Sequence, residues 1–150
     1  MGNFHAAKEN PHSMARILIV DDSNSIRAQL RKLVERNPTW QVCGEASNGR
    51  EAIDKTLSCS PDIVLLDYRL PVLNGLQVGR EISGLAPEVR ILLCSMHSSP
   101  ELSEAARDAG IHGAVSKWDT RQILDAIEAL LRFQTFFEYL DGQWPVETGN

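Results

Sequence analysis

The sequence predicts an α/β fold, a parallel sheet wound on both faces by helices. Three observations predict it. Five short apolar runs rich in β-branched residues are spaced along the chain, segments of helical periodicity alternate with them, and turn or capping residues stand at most junctions. Parallel strands joined by right-handed helical crossovers bring every strand's carboxyl end to one edge, where such sheets bind ligands.

The first run, Ile17-Leu18-Ile19-Val20, is too short for a helix and reads as a strand buried on both faces. Ile26, Leu30, Leu33 and Val34 then recur at helical spacing until Asn37-Pro38 stops the pattern. A second strand is expected around Trp40 to Ala46, and Asn48-Gly49 turns the chain into a helix carrying Ala52, Ile53 and Leu57. "DIVLLD" is the third strand, ending in Asp67, and Gly75 opens a helix bearing Val78, Ile82 and Leu85. Arg90 to Ser95 is the fourth strand. Ser98 and Glu101 stand at capping-box spacing with Pro100 in the first turn, so the next helix is expected to start on Ser98 and to end near Gly110. A fifth strand spans about His112 to Ser116. Asp119, with Gln122 three residues on, then caps a helix carrying Ile123, Leu124, Ile127, Leu130 and Leu131.

A chain of 150 residues has room for one core. Residues 15–132 are expected as the domain, residues 1–14 as a flexible extension, and residues 133–150 as an extended last helix with a tail. Hydrophobic residues at 43% and charged residues at 23% argue against a disordered chain. The net charge of −5, with no Lys/Arg cluster on a helix face, argues against direct nucleic-acid binding. No apolar stretch is long enough to span a membrane and the first residues lack a signal-peptide core, so a cytoplasmic protein is expected. Cys43, Cys59 and Cys94 lie far apart in sequence without metal or redox spacing, and read as buried, reduced thiols.

Asp21, Asp22 and Asp67 fall at strand ends on the same edge, together with Ser95 and Lys117. One such Asp reads as a helix cap. Three converging carboxylates repel one another and are costly to desolvate, which calls for a positive charge between them. A hard divalent cation such as magnesium, held by carboxylates, waters and phosphate oxygens, fits that need.

"ILIVDDS", "DIVLLDYRLPVLNGL", "ILLCSM" and "GAVSKWD", in that order, resemble the receiver domain of bacterial two-component response regulators over about Ala15 to Arg132. The resemblance implies a flavodoxin-like, five-stranded parallel sheet of order 2-1-3-4-5. It implies Asp67 as phosphoacceptor, taking a phosphoryl group from a phosphohistidine of a sensor histidine kinase or phosphotransfer protein. It also implies Mg2+ held by Asp21, Asp22, Asp67 and the backbone carbonyl of Arg69, with Ser95 and Lys117 contacting the phosphoryl group. The chemistry would be confined to the protein's own phosphorylation and dephosphorylation. Such transfer is catalysed mainly by positioning and charge neutralisation, which a metal and an ammonium supply.

The chain departs from that family in places. Arg69 and His97, each two residues beyond a site residue, flank the approach to the phosphoryl group, and slowed dephosphorylation is expected from them. The position three before the lysine, usually an aromatic that turns inward as a switch, is Ala114. Output would then come from loop shifts or from groups such as His112 or Trp118, which stands where the family often has proline. After Arg132 only 18 residues remain (150 minus 132), against roughly 60 for an output module, so a stand-alone receiver is expected. Phe133, Phe136, Phe137, Tyr139, Leu140 and Trp144 add apolar surface there. It reads either as a homodimer or partner interface on the extended last helix, or as a segment folded back on its own domain. Two other functions stay open. One is an atypical receiver acting as a phosphorylation-independent binding or dimerisation module. The other is an aspartate-nucleophile phosphatase of the haloacid dehalogenase type, disfavoured by Asn24 two residues after Asp22.

Overall fold

The computed structural model describes residues 13–137 and the backbone of residues 146–147. The strands are β1 (Ala15–Val20), β2 (Trp40–Ala46), β3 (Ile63–Asp67), β4 (Arg90–Ser95), β5 (Gly113–Ser116), β6 (Phe136–Phe137) and β7 (Val146–Glu147). The helices are α1 (Asn24–Glu35), α2 (Gly49–Cys59), α3 (Gly75–Leu85), α4 (Pro100–Asp108) and α5 (Thr120–Leu131). The strands form one sheet of order β2-β1-β3-β4-β5-β6-β7, parallel except for the β6–β7 pair. The order 2-1-3-4-5 is as expected, with two short strands added beyond β5.

Successive strand residues point to opposite faces, so each apolar run feeds two cores. Ile17, Ile19, Leu65, Leu92 and Val115 pack with Leu33 and Val34 of α1 and with Ile123, Ile127 and Leu130 of α5. Leu18, Val20, Leu66, Leu93 and Ala114 pack on the other face with Ala52 of α2, Val78 and Ile82 of α3 and Ala106 of α4. Burial on both faces is the reason that these strands read as unbroken apolar runs.

Each helix starts on a side-chain cap. Ser23, Asn48, Asn74, Ser99 and Asp119 accept the N–H of the residue three positions on, and Asn74 forms a full capping box with Gln77. The cap of α4 is Ser99, one residue later than the Ser98 expected. Pro100 at the first helical position demands an extended residue before it, and Ser99, at φ −155° and ψ 158°, supplies both that backbone and the acceptor. Only the Asp119 half of the second capping signal forms: Asp119 accepts the Gln122 N–H at 3.1 Å, while Gln122 Oε1 is buried without a partner.

The last helix is not extended, contrary to expectation. It stops at Leu131, where the N–H groups of Phe133 and Gln134 turn back onto the carbonyls of Leu130 and Ala129 and Phe133 adopts a left-handed backbone at φ 63°. Phe136 and Phe137 then pair with Gly113 and Ala114 as β6. Phe136 joins the core on the α5 side and Phe137 the core on the α4 side, both buried. Adjacent residues can serve opposite faces only in a strand, which is why the segment leaves the helix. Of the two readings of the aromatic tail, folding back onto the domain holds for this part. Tyr139, Leu140 and Trp144 lie outside the described residues. No described helix is long and apolar enough to cross a membrane.

Candidate functional site

The apolar register of β1 ends at Val20, so Asp21 and Asp22 are the first residues past the sheet edge. Asp67 ends β3, Ser95 ends β4, and Lys117 follows β5 with its N–H on the Ser95 carbonyl at 2.9 Å. Asp21 and Asp67 are buried, at 2% and 4% exposure, while Asp22 is exposed. One carboxylate oxygen from each of the three acids lies within 4.8 Å of the others. Lys117 Nζ bridges two of them, 2.9 Å from Asp21 Oδ2 and 3.2 Å from Asp67 Oδ1.

The electrostatics follow from that packing. Burial pushes the Asp67 carboxyl up to about 6, and the Asp21 charge pushes in the same direction, against the pull of Lys117 and of the Arg69 N–H, which lies 3.4 Å from Oδ1. Burial alone would lower the Lys117 ammonium, but its bond to Asp21 and the Asp67 charge outweigh burial and hold it above the usual range. Two buried acids thus share one cation, leaving an excess of negative charge at the edge. An all-oxygen cluster with an exposed third acid is the donor set of a hard divalent cation, so Asp21, Asp22 and Asp67 fit one.

The backbone around the acids is tightly placed. The Gly75 N–H bonds the Tyr68 carbonyl at 2.7 Å, and a Cβ on Gly75 would stand 2.6 Å from the Asp67 carbonyl oxygen, so α3 can begin against the end of β3 only with glycine there. Between them Val72 holds φ 70° and is fully exposed, a costly backbone for a β-branched residue. Arg69 and His97 are both exposed at the rim. The buried Ser95 hydroxyl donates to the His97 carbonyl at 2.9 Å, and the His97 N–H lies 3.2 Å from the same oxygen. Trp118 is 56% exposed beside Lys117. Ala114 is buried, and Phe137 lies next to it in register and in the same core.

Arg27 is a site residue that sequence reasoning missed. Its Nη1 donates to the Asp21 carbonyl at 2.6 Å and its Nε to Glu45 at 2.9 Å, which ties the backbone under the acids to α1 and β2. The pairing with Glu45 spans 18 residues and has no local signature. The cysteines differ in part from expectation. All three are free and Cys94 is buried, but Cys43 and Cys59 are half-buried and adjacent, with the Cys59 thiol donating to the Cys43 carbonyl at 3.4 Å. Cys43 is the extra residue of a bulge in β2, between the partners of Ile17 and Leu18, which frees that carbonyl.

Known proteins share this fold. The family model of the response regulator receiver domain matches residues 17–128. Chemotaxis protein CheY of Thermotoga maritima is 35% identical over 102 residues, covering 68% of this chain and 84% of that protein. A protein-glutamate methylesterase/protein-glutamine glutaminase of Pseudomonas putida is 35% identical over 96 residues, 63% of this chain and 26% of that protein, so the chain spans about a quarter of that relative's length. The crystal structure of a LuxR-family two-component response regulator from Aurantimonas sp. SI85-9A1 aligns with TM-score 0.80 at 35% identity, covering 87% of this chain and 93% of that one. The response regulator domain of Thermotoga maritima CheB aligns with TM-score 0.70 at 26% identity, covering 80% and 95%. The family model covers most of the chain and the parallel sheet of order 2-1-3-4-5 is shared with these solved structures, so the chain belongs to the response regulator receiver domain family.

Proposed function

We propose that this chain accepts a phosphoryl group on Asp67 from a phosphohistidine of a sensor histidine kinase or phosphotransfer protein, and passes the signal on by protein contact. The observation that carries this reading is the buried Asp67 carboxylate, held by Lys117 at 3.2 Å beside two further acids. A carboxylate oxygen of Asp67 attacks phosphorus, the bond from phosphorus to the imidazole nitrogen breaks, and its electron pair stays on the histidine. Asp21, Asp22, Asp67 and the Arg69 carbonyl would hold Mg2+, which when bound supplies neutralisation of phosphoryl oxygen charge. Lys117 orients Asp67 for attack and offers its ammonium to an incoming oxygen. The Ser95 hydroxyl, which donates to the His97 carbonyl, would exchange that acceptor for a phosphoryl oxygen. A groove between α1 and the corner of Lys117 and Trp118, walled by Ile26, Leu30 and Leu33, reaches Lys117 and would offer a protein donor an apolar seat. The protein's chemistry stays confined to its own phosphorylation and dephosphorylation.

Transfer of labelled phosphate from a phosphohistidine protein, with the label released by neutral hydroxylamine, tests this reading. Label that resists hydroxylamine, or that persists in Asp67→Asn, contradicts it. Arg69, exposed two residues from Asp67, would obstruct an attacking water, so Arg69→Asn is expected to shorten the half-life of the phosphorylated form several-fold; an unchanged half-life contradicts that role.

A second reading, a binding module that works without phosphate, is favoured by Ala114 at the switch position and by a Ser95 hydroxyl engaged with its own loop. Such a module binds its partner equally well as Asp67→Asn. The phosphatase reading is set aside by the family match.

A further inference from the structure

We propose that β6 is exchanged between two copies of this chain, giving a homodimer in which Phe136 and Phe137 of each copy pair with β5 of the other. This inference does not depend on phosphate chemistry.

The slot that receives β6 is built for it. A Cβ on Gly113 would stand 2.8 Å from the Phe136 carbonyl oxygen and 3.0 Å from Leu92 Cδ1, so the close approach of the two strands needs glycine there. The Phe136 N–H bonds the His112 carbonyl at 3.0 Å, Phe137 is fully buried, and the Arg107 guanidinium lies 5.6 Å from the Phe137 ring. All of these contacts are the same whichever copy supplies the strand. A detached β6 with no acceptor, by contrast, exposes two phenylalanines at once, so the strand stays paired with its own chain or with another.

With β7 carried along on the β6 it pairs with, what differs between the closed and exchanged forms is the hinge, Arg132 to Thr135, and the closed hinge carries two costs. Phe133 holds φ 63° at the position after the helix where glycine is usual, and its large side chain is 49% exposed. Beneath it the Arg90 guanidinium sits 5.4 Å from the Phe133 ring, with Arg90 Nε buried and without a hydrogen-bond partner. A hinge this short cannot slacken while β6 remains on its own β5. Opening lets Phe133 return to a right-handed backbone, so that α5 runs on past Leu131, and gives water access to Arg90. Short strained hinges favour exchange for this reason, and the partner that fits the vacated slot is the same segment of a second copy.

The test is light scattering on the full chain from micromolar to millimolar concentration, after refolding at the high end. The expected result is a dimer that persists on dilution, because the strand must detach before the copies separate. Phe133→Gly, which suits the left-handed hinge, is expected to lower the dimer association constant roughly tenfold or more. Inserting Gly-Ser-Gly between Gln134 and Thr135, which slackens the hinge, acts in the same direction. A chain that stays monomeric throughout, or a dimer that neither variant weakens, overturns the proposal.

Discussion

At the scale of single residues, the site is a charge problem solved with one lysine. Lys117 is almost fully enclosed and serves both Asp21 and Asp67. Removing it leaves two acids facing each other out of reach of solvent. Lys117→Met is therefore expected to cost about 2–4 kcal/mol in the presence of chelator, measured by urea unfolding, and much less in millimolar magnesium, where a bound cation takes over the neutralisation. Equal losses in the two buffers would show that the cluster holds no cation. The acids and the lysine were legible from sequence because strand ends in a parallel sheet share an edge, so position along the chain translates into position in space. Arg27 was not legible. Its partner Glu45 and its target, the Asp21 carbonyl, are brought together by packing of α1 over β2, which no local pattern encodes.

At the scale of elements, β1 to β5 and the five helices follow from apolar runs and caps, and the departures fall where a local rule competes with another rule or with tertiary packing. At α4, Ser98 offered the capping-box spacing to Glu101, whereas Pro100 required an extended residue immediately before it, and the proline won. Ser99→Ala is expected to cost about 1 kcal/mol, while Ser98→Ala changes stability by less than about 0.5 kcal/mol; thermal unfolding of the pair distinguishes the two caps. At the end of α5, Leu130, Leu131, Phe133 and Phe137 continue a plausible helical stripe, and nothing in the local sequence marks Phe133 as a left-handed stop. The small residues that admit β6, Gly113 and Ala114, lie some 20 residues upstream in another strand. A helix was the local answer and a strand the tertiary one.

At the scale of the whole molecule, the β5 side of the sheet ties stability to pH. Ala114 and Phe137 pair there, and His112 just before β5 is tied into the fold as an acceptor, with its carbonyl receiving the Phe136 N–H and its Nδ1 the Ile91 N–H, both at 3.0 Å. Burial and the nearby Arg90 charge push the His112 imidazole down to about 4, below its usual value near 6.5. A histidine that stays neutral when folded binds fewer protons than in the unfolded chain over that interval. Its contribution is thus intact above pH 6.5 and is lost as pH falls toward 4. Unfolding in urea across this range is expected to show the wild type losing on the order of 2 kcal/mol more than His112→Asn, whose side-chain oxygen can still accept the Ile91 N–H without titrating. Parallel curves would contradict the assignment.

The proposed role of Asp67 as a phosphoacceptor served by a metal can be tested on the isolated chain. The most direct measurement is the intact mass of the protein after incubation with acetyl phosphate and magnesium, beside Asp67→Asn and a chelator control. The expected result is a gain of about 80 Da, the mass of one phosphoryl group, in the wild type with magnesium alone. The same gain in Asp67→Asn or with chelator, or no gain under any condition, would contradict it.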